Sequence, residues 1–202
     1  MIQKPSNYER TLVMLKPDAV QRGLMGEILS RFEKKGLKIT AMKMVWPTKE
    51  QAEQHYWWSD EEKTKNGNRT IAIYKEKGIE LNKTPIELAE DVQKRLIKFL
   101  TAGPVVAMVI ESAHAIEHVR KITGHGSPLQ ADVGTIRSEF TIDSYIMADE
   151  AFRAARNLIH ASSSVDEAER ELKVWFKEEE ISDYETAIER VLYSMEWEEP
   201  KK

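Results

Sequence analysis

The chain has no cysteine among its 202 residues, which excludes disulfides, thiolate nucleophiles and cysteine-built zinc sites. It has no apolar run approaching the roughly 20 residues needed to cross a bilayer. Its opening, Met1 to Arg10, is polar and lacks the apolar stretch of a secretory signal. These features predict a cytoplasmic protein with no membrane attachment. Positive charge is not in surplus either, since 30 Lys and Arg stand against 34 Asp and Glu for a net charge of -4. Non-specific nucleic-acid binding wants a basic face, so nucleic acid is not the expected partner. A small basic pocket for one polyphosphate remains compatible with that balance. What is present is ordinary for a soluble domain: 41% apolar residues, 32% charged residues, and a length suited to a single domain over 1–202.

Thr11 to Leu15 is a short apolar run ending at Lys16-Pro17-Asp18, and the residue before a proline avoids helix, which predicts a strand running into a turn. From Gly23 onward Leu24, Ile28 and Phe32 recur at four-residue steps until Gly36, the pattern of an amphipathic helix with a glycine stop. Lys38 to Trp46 alternates as a second strand, and Thr48 caps a short helix through His55 and Tyr56. In the stretch from Ser59 to Asp91, Lys65-Asn66-Gly67-Asn68 reads as a turn and Arg69 to Leu81 as a strand or hairpin. Thr84-Pro85 starts a helix that runs to about Leu100.

Pro104 to Ile110 is continuously apolar, as in a central strand buried on both faces, and a helix from Ala113 to Thr123 follows. Gly124 to Gly134 is a glycine-rich loop, and Asn157 to His160 a short strand. Ser164-Val165-Asp166-Glu167 opens a helix through Phe176, and a last helix spans about Asp183 to Trp197. The order strand, helix, strand, insert, strand, helix, strand predicts an α+β fold. Its core is a ferredoxin-like βαββαβ unit, an antiparallel sheet with surrounding helices.

His160 lies at the end of a predicted strand just before a capped helix, where one ring nitrogen can be oriented while the other faces a cleft. Glu171 sits seven residues beyond Ser164, about two turns along the same helix face, and can reach back to fix the ring tautomer. Ser162 is placed to donate to a phosphate oxygen. Lys16, Arg120 and Arg137 are candidate cations for a triphosphate, which needs several converging positive groups. A lone histidine at a strand end is more often a packed core residue, and single cations are more often solvated. Local pattern alone therefore leaves the chemistry open.

The motifs taken together are more specific. Glu9-Arg10-Thr11, Leu15-Lys16-Pro17-Asp18-Ala19-Val20-Gln21-Arg22-Gly23-Leu24, Gly26-Glu27-Ile28 and Arg31-Phe32-Glu33-Lys34-Lys35-Gly36 open a colinear series. It continues through His55-Tyr56, Gly103-Pro104-Val105-Val106-Ala107-Met108-Val109, Gly134-Thr135-Ile136-Arg137 and Arg156-Asn157-Leu158-Ile159-His160-Ala161-Ser162. This series resembles the nucleoside diphosphate kinase family over about residues 9 to 58 and 92 to 197. The resemblance implies a phosphotransferase that moves the terminal phosphate of a nucleoside triphosphate to a nucleoside diphosphate, by a ping-pong cycle through phospho-His160. It implies that Glu171 orients the ring, and that Lys16, Tyr56, Arg120, Arg137 and Asn157 hold phosphates and sugar. It also implies Mg2+ carried on the substrate phosphates rather than in a protein cage, and a homo-oligomer, a dimer-based tetramer or hexamer.

The chain departs from the family at several points. Gly126 stands where a phosphate-contacting threonine is usual, with Ser127 beside it as a possible replacement; loss of such a hydrogen bond costs about 1–3 kcal/mol. Val92 stands where a base-stacking phenylalanine is usual, Leu96 matches the opposite apolar wall, and Tyr74 is a candidate substitute for the aromatic. Segments of about 59–91 and 144–155 are insertions, the second read as a short helix around Glu150, Phe152 and Arg153. They are expected to form a lid or an altered subunit contact. His55, His114, His118 and His125 are taken as bystanders, and Trp57, Trp58 and Trp197 as packing or interface residues. The alternative reading is a nucleotide-binding regulatory or scaffold module of the same fold with weak or no turnover.

Overall fold

The computed structural model describes residues 2–76 and 78–197. Tyr8–Leu15 forms β1, and the short helix α1 (Pro17–Gln21) follows Lys16, with proline at its first position. Helix α2 (Met25–Lys35) buries Ile28 and Phe32 and stops at Gly36, whose φ of 86° is the left-handed conformation that glycine adopts without strain. Strand β2 (Lys38–Val45) leads to α3 (Lys49–His55), where Thr48 and Gln51 make a reciprocal capping box. Two longer helices come next, α4 (Asp60–Lys75) and α5 (Pro85–Leu100). Then come β3 (Val105–Ala113), α6 (Ala115–Thr123), α7 (Ile136–Phe140), α8 (Tyr145–Glu150), β4 (Ile159–Ala161), α9 (Val165–Trp175) and α10 (Ala187–Tyr193).

The four strands are ordered β2-β3-β1-β4 with every neighbouring pair antiparallel, the arrangement expected of the ferredoxin-like core. Side chains alternate across β1 and β3, and both faces are covered. Val13, Leu15, Val106, Met108 and Ile110 meet Ile28 and Phe32 of α2 and Val119 of α6 on one face. Leu12, Met14, Val105, Ala107 and Val109 meet Ala52, Leu100, Leu172 and Trp175 from α3, α5 and α9 on the other. Burial on two sides explains why Pro104 to Ile110 carries no polar alternation.

The strand or hairpin expected over Arg69 to Leu81 is not there; α4 runs straight through the supposed turn at Asn66-Gly67. Ser59 and Glu62 form a capping box that starts this helix. Gly67 is buried in its middle because α5 crosses there, and a Cβ on it would lie 1.9 Å from the Pro85 carbonyl oxygen. The glycine permits close helix approach rather than a turn. The C-terminal helix is likewise shorter than expected: Thr186 caps α10 late, and a separate 3-10 turn covers Met195–Trp197. In the second insertion the helix ends at Glu150, before Phe152, which is exposed and has φ 49°. Among the described residues no helix is long and apolar enough to cross a membrane.

Candidate active site

Strand β4 is only three residues long and sets His160 opposite Met14 of β1, so that its ring emerges beside the end of β1 that delivers Lys16. The chain enters β4 through a tight turn at Leu158, whose φ of 67° is uncommon for a residue other than glycine. The Ile159 amide donates to the Asn157 carbonyl at 2.7 Å and closes this three-residue turn. Its surroundings over-determine it, as such strain requires. The Leu158 amide donates to Asp18 Oδ2 at 3.1 Å, and the Leu158 carbonyl accepts from the Lys16 amide at 2.8 Å. The Arg137 guanidinium donates to the carbonyls of Asn157, Gly124 and Ile159 at 3.1, 2.8 and 2.6 Å.

His160 Nε2 lies 2.8 Å from Glu171 Oε2, and the imidazole side chain is 16% exposed. Glu171 is buried on α9, and the same Oε2 accepts from Ser162 Oγ at 2.6 Å. Burial pushes the Glu171 carboxyl above the usual range, while His55, Ser162 and Arg170 oppose that shift. With the carboxylate accepting at Nε2–H, the ring keeps its lone pair on Nδ1. Burial pushes the His160 ring well below its ordinary pKa, and Lys16, Arg137 and Arg120 add to this against the pull of Glu167. The ring is therefore neutral at pH 7.

Lys16 is buried and its Nζ donates to Asn157 Oδ1 at 2.8 Å; Asn157 Nδ2 in turn donates to the Gly126 carbonyl at 2.6 Å. Burial, with Arg137 and Arg156 nearby, pushes the Lys16 ammonium down to about 7. Burial likewise pushes Arg137 down to about 10. The Tyr56 hydroxyl is buried without a hydrogen-bond partner among the described residues, and burial pushes its pKa up. Desolvated cations and an unpartnered hydroxyl facing one space are what an incoming anion would satisfy.

That space is a cavity of about 380 Å³ lined by Lys16, Tyr56, Val92, Leu96, Arg120, Gly126, Arg137, Asn157 and His160. Nine of the eleven residues singled out in the sequence thus meet around it; Glu171 and Ser162 stand behind His160. Helix α4 forms part of the wall through Asn66, Arg69, Thr70, Ile73 and Tyr74, which fall on one helical face, and α8 contributes Tyr145, Ala148 and Asp149. The two insertions are tied across the cavity: Tyr74 Oη donates to Asp149 Oδ2 at 2.9 Å, and Arg95 Nη1 to Asp149 Oδ1 at 2.6 Å. Arg69 Nη2 lies 3.0 Å from His125 Nε2.

Several expectations are corrected by this geometry. Ser162 is fully buried and directs its hydroxyl to Glu171, not to the cavity. Ser127 is buried away from the lining. His55 is no bystander: its ring is 4.4 Å from that of His160, edge to face, and its Nδ1 accepts from Trp175 Nε1 at 3.4 Å. Burial holds His55 neutral, at about 3. Trp58, expected to serve packing, lines the cavity, as do His125 and Tyr145. The pairing of His55 with Tyr56 in the sequence was the available signal for the first of these.

His55, His160 and Glu171 bring three possible metal-ligating atoms within 4.8 Å of one another. Two imidazoles and one carboxylate suit a softer ion than Mg2+, which prefers oxygen ligands, and the cluster is already engaged in orienting His160. It does not fit a resident Mg2+.

A sequence profile of the nucleoside diphosphate kinase family matches residues 9–77 and 87–181, interrupted only at 78–86. A nucleoside diphosphate kinase of Pyrobaculum aerophilum is 47% identical over 178 residues, covering 86% of this chain and 97% of that protein. One from Pyrococcus abyssi is 44% identical over 179 residues, covering 89% and 91%. The crystal structure of an NDP kinase from Pyrobaculum aerophilum superposes with a TM-score of 0.83 at 45% identity, covering 87% of this chain and all of that one (100%). A transition-state mimic of nucleoside-diphosphate kinase from Borrelia burgdorferi, with bound vanadate and ADP, gives a TM-score of 0.76 at 34% identity, covering 93% and 98%. With its fold, its site and these relatives in agreement, the chain belongs to the nucleoside diphosphate kinase family and is an enzyme of that kind.

Proposed function

We propose that this enzyme works through His160 as nucleophile, with Glu171 as its orienting carboxylate. The observation that carries this is the His160–Glu171 hydrogen bond, which engages Nε2 and leaves Nδ1 without a partner among the described residues, in a ring that lines the cationic cavity. In the first half-reaction the Nδ1 lone pair forms a bond to the terminal phosphorus of a nucleoside triphosphate. The bond from that phosphorus to the bridging oxygen breaks, its electrons stay on the departing diphosphate, and Glu171 stabilises the positive charge on the ring. In the second half a terminal oxygen of another diphosphate attacks the phosphorus and the N–P electrons return to Nδ1. Phosphoryl transfer of this kind rests on positioning and charge stabilisation. Lys16, Arg120, Arg137, Tyr56 and Asn157 supply these to the phosphates and sugar. Mg2+ carried on the substrate phosphates would neutralise part of their charge beside Lys16, Arg120 and Arg137.

Val92 and Leu96, with Ile73, Tyr74 and Trp58 nearby, give the base mostly apolar walls. Such walls discriminate weakly, which supports broad nucleotide tolerance. The same reading assigns the enzyme to the cytoplasm, with its nucleotides, and to a homo-oligomer, a dimer-based tetramer or hexamer. The outer face of edge strand β2 and its extension supports self-association, because Met42, Met44 and Trp46 are 54%, 55% and 66% exposed.

The test is chemical. Incubation with Mg2+ and a triphosphate labelled at its terminal phosphate should leave an acid-labile, base-stable label on the native protein and none on His160→Ala. Label on the variant would move the nucleophile elsewhere, and no label on the native protein would favour a nucleotide-binding module instead.

A further inference from the structure

We propose that the Tyr145 hydroxyl is a phosphate-binding group of this site, delivered by the second insertion and admitted by the glycine at 126. The inference rests on the reading that nucleotide phosphates occupy the cavity. A Cβ built on Gly126 would lie 2.1 Å from Tyr145 Oη and 3.3 Å from its Cζ. The Gly126 backbone is not in the left-handed region, so what the glycine provides there is the space that Oη occupies. The phenol fills the volume that a side chain at 126 would take, and the two positions are complementary.

That volume lies at the charged end of the cavity. The Gly126 carbonyl is bound to Asn157, and Asn157 to Lys16, so Oη rests against the chain of contacts that fixes the lysine. Tyr145 and Arg137 line the same cavity, and the phenol lies close enough to act on the guanidinium. Its ring lines the cavity, half-buried, and tilts against the His125 ring at 6.3 Å. Oη makes no hydrogen bond to the protein among the described residues. Placement is firm: Tyr145 is the first residue of α8, Ser144 caps that helix by accepting from the Met147 amide, and Arg153 Nη2 donates to Asp143 Oδ1 at 2.9 Å beneath it. A phenolic O–H beside Gly126, in a cavity that Lys16 and Arg137 also line, is a good donor to a phosphate oxygen and a poor partner for anything apolar. The hydroxyl that the sequence lacks at 126 is thus supplied from the side by 145.

Tyr145→Phe keeps the ring and removes only the donor. We expect its kcat/KM for phosphorylation of His160 to fall about tenfold, equivalent to ~1.4 kcal/mol, with the melting temperature unchanged. Gly126→Ala, which displaces Oη while leaving the phenol intact, should lose a similar factor. The swap Tyr145→Ala with Gly126→Thr restores a hydroxyl from the other side and should outperform Tyr145→Ala alone. A Tyr145→Phe variant that is phosphorylated as fast as the native protein, or a swap no better than Tyr145→Ala, overturns the inference. The native protein is run alongside. If it takes up label while Tyr145→Phe does so equally fast, this inference alone fails; if the native protein takes up none, the reading beneath it fails as well.

Discussion

At Lys16 burial acts against the side chain's own charge, and the neighbouring Arg137 acts in the same direction. Its ammonium, pushed down to about 7, loses its proton in the free enzyme as pH rises through that value. Bound phosphates favour the charged form and raise the pKa again. Because kcat/KM reports groups of the free enzyme and kcat those of the bound complex, kcat/KM should decline above about pH 7 while kcat holds to higher pH. His160 adds no acidic limb near its ordinary pKa, since burial keeps it neutral well below that point. A pH–rate profile with both parameters falling together above pH 7 would contradict this. At this scale His160 and Lys16 were singled out through their motifs, and Glu171 through its spacing along the helix after Ser164. Ser162 was misread, although alternation along β4 offered a clue: it stands two residues from His160, on the same side, toward Glu171. Tyr145 carried no local signal, because its significance depends on Gly126, distant in sequence.

Helix α4 shows the same limit one level up. Asn-Gly within a polar stretch is a turn signal in isolation, and Ile and Tyr further on suit a strand. What overrules both is the packing of α5 on Gly67, a contact between segments that one-dimensional pattern does not contain. Elements whose signals are local, such as the capped α3 and α5 and the apolar β3, follow the sequence closely. The consequence is testable with Gly67→Ala. The added methyl meets backbone rather than a flexible side chain, so the helices must separate, and overpacking of that kind costs about 1–3 kcal/mol. A lowered melting temperature and a raised KM for nucleotide are expected, since the adjoining face of α4, with Thr70 and Tyr74, lines the cavity. An unchanged melting curve would show that the crossing is looser than described.

For the whole molecule, the C-terminal segment covers the start of edge strand β2 at Ile39 and Thr40, while Met42, Met44 and Trp46 further along are exposed. Solvated edges of that kind invite pairing with another copy unless charge blocks it. Met44→Glu should therefore shift the particle toward smaller species in size-exclusion chromatography with light scattering, with little change in the thermal stability of the separated subunit. A native protein that is already monomeric would remove the expectation. The core topology was readable because burial on both faces leaves long apolar runs and regular caps. The roof over the cavity was not, because it depends on distant segments meeting at Asp149.

The size of the chamber at His160 has a kinetic corollary. At about 380 Å³ it falls near the lower end of the roughly 300–1,000 Å³ typical of a site for one small molecule. A chamber of that size suits giver and receiver taking turns in the same seat, with the protein storing the group between visits as proposed for His160. A receiver that sits down before the group has been deposited can only obstruct, so an excess of diphosphate should slow the cycle and added triphosphate should restore it, which initial-rate measurements at varied diphosphate would check.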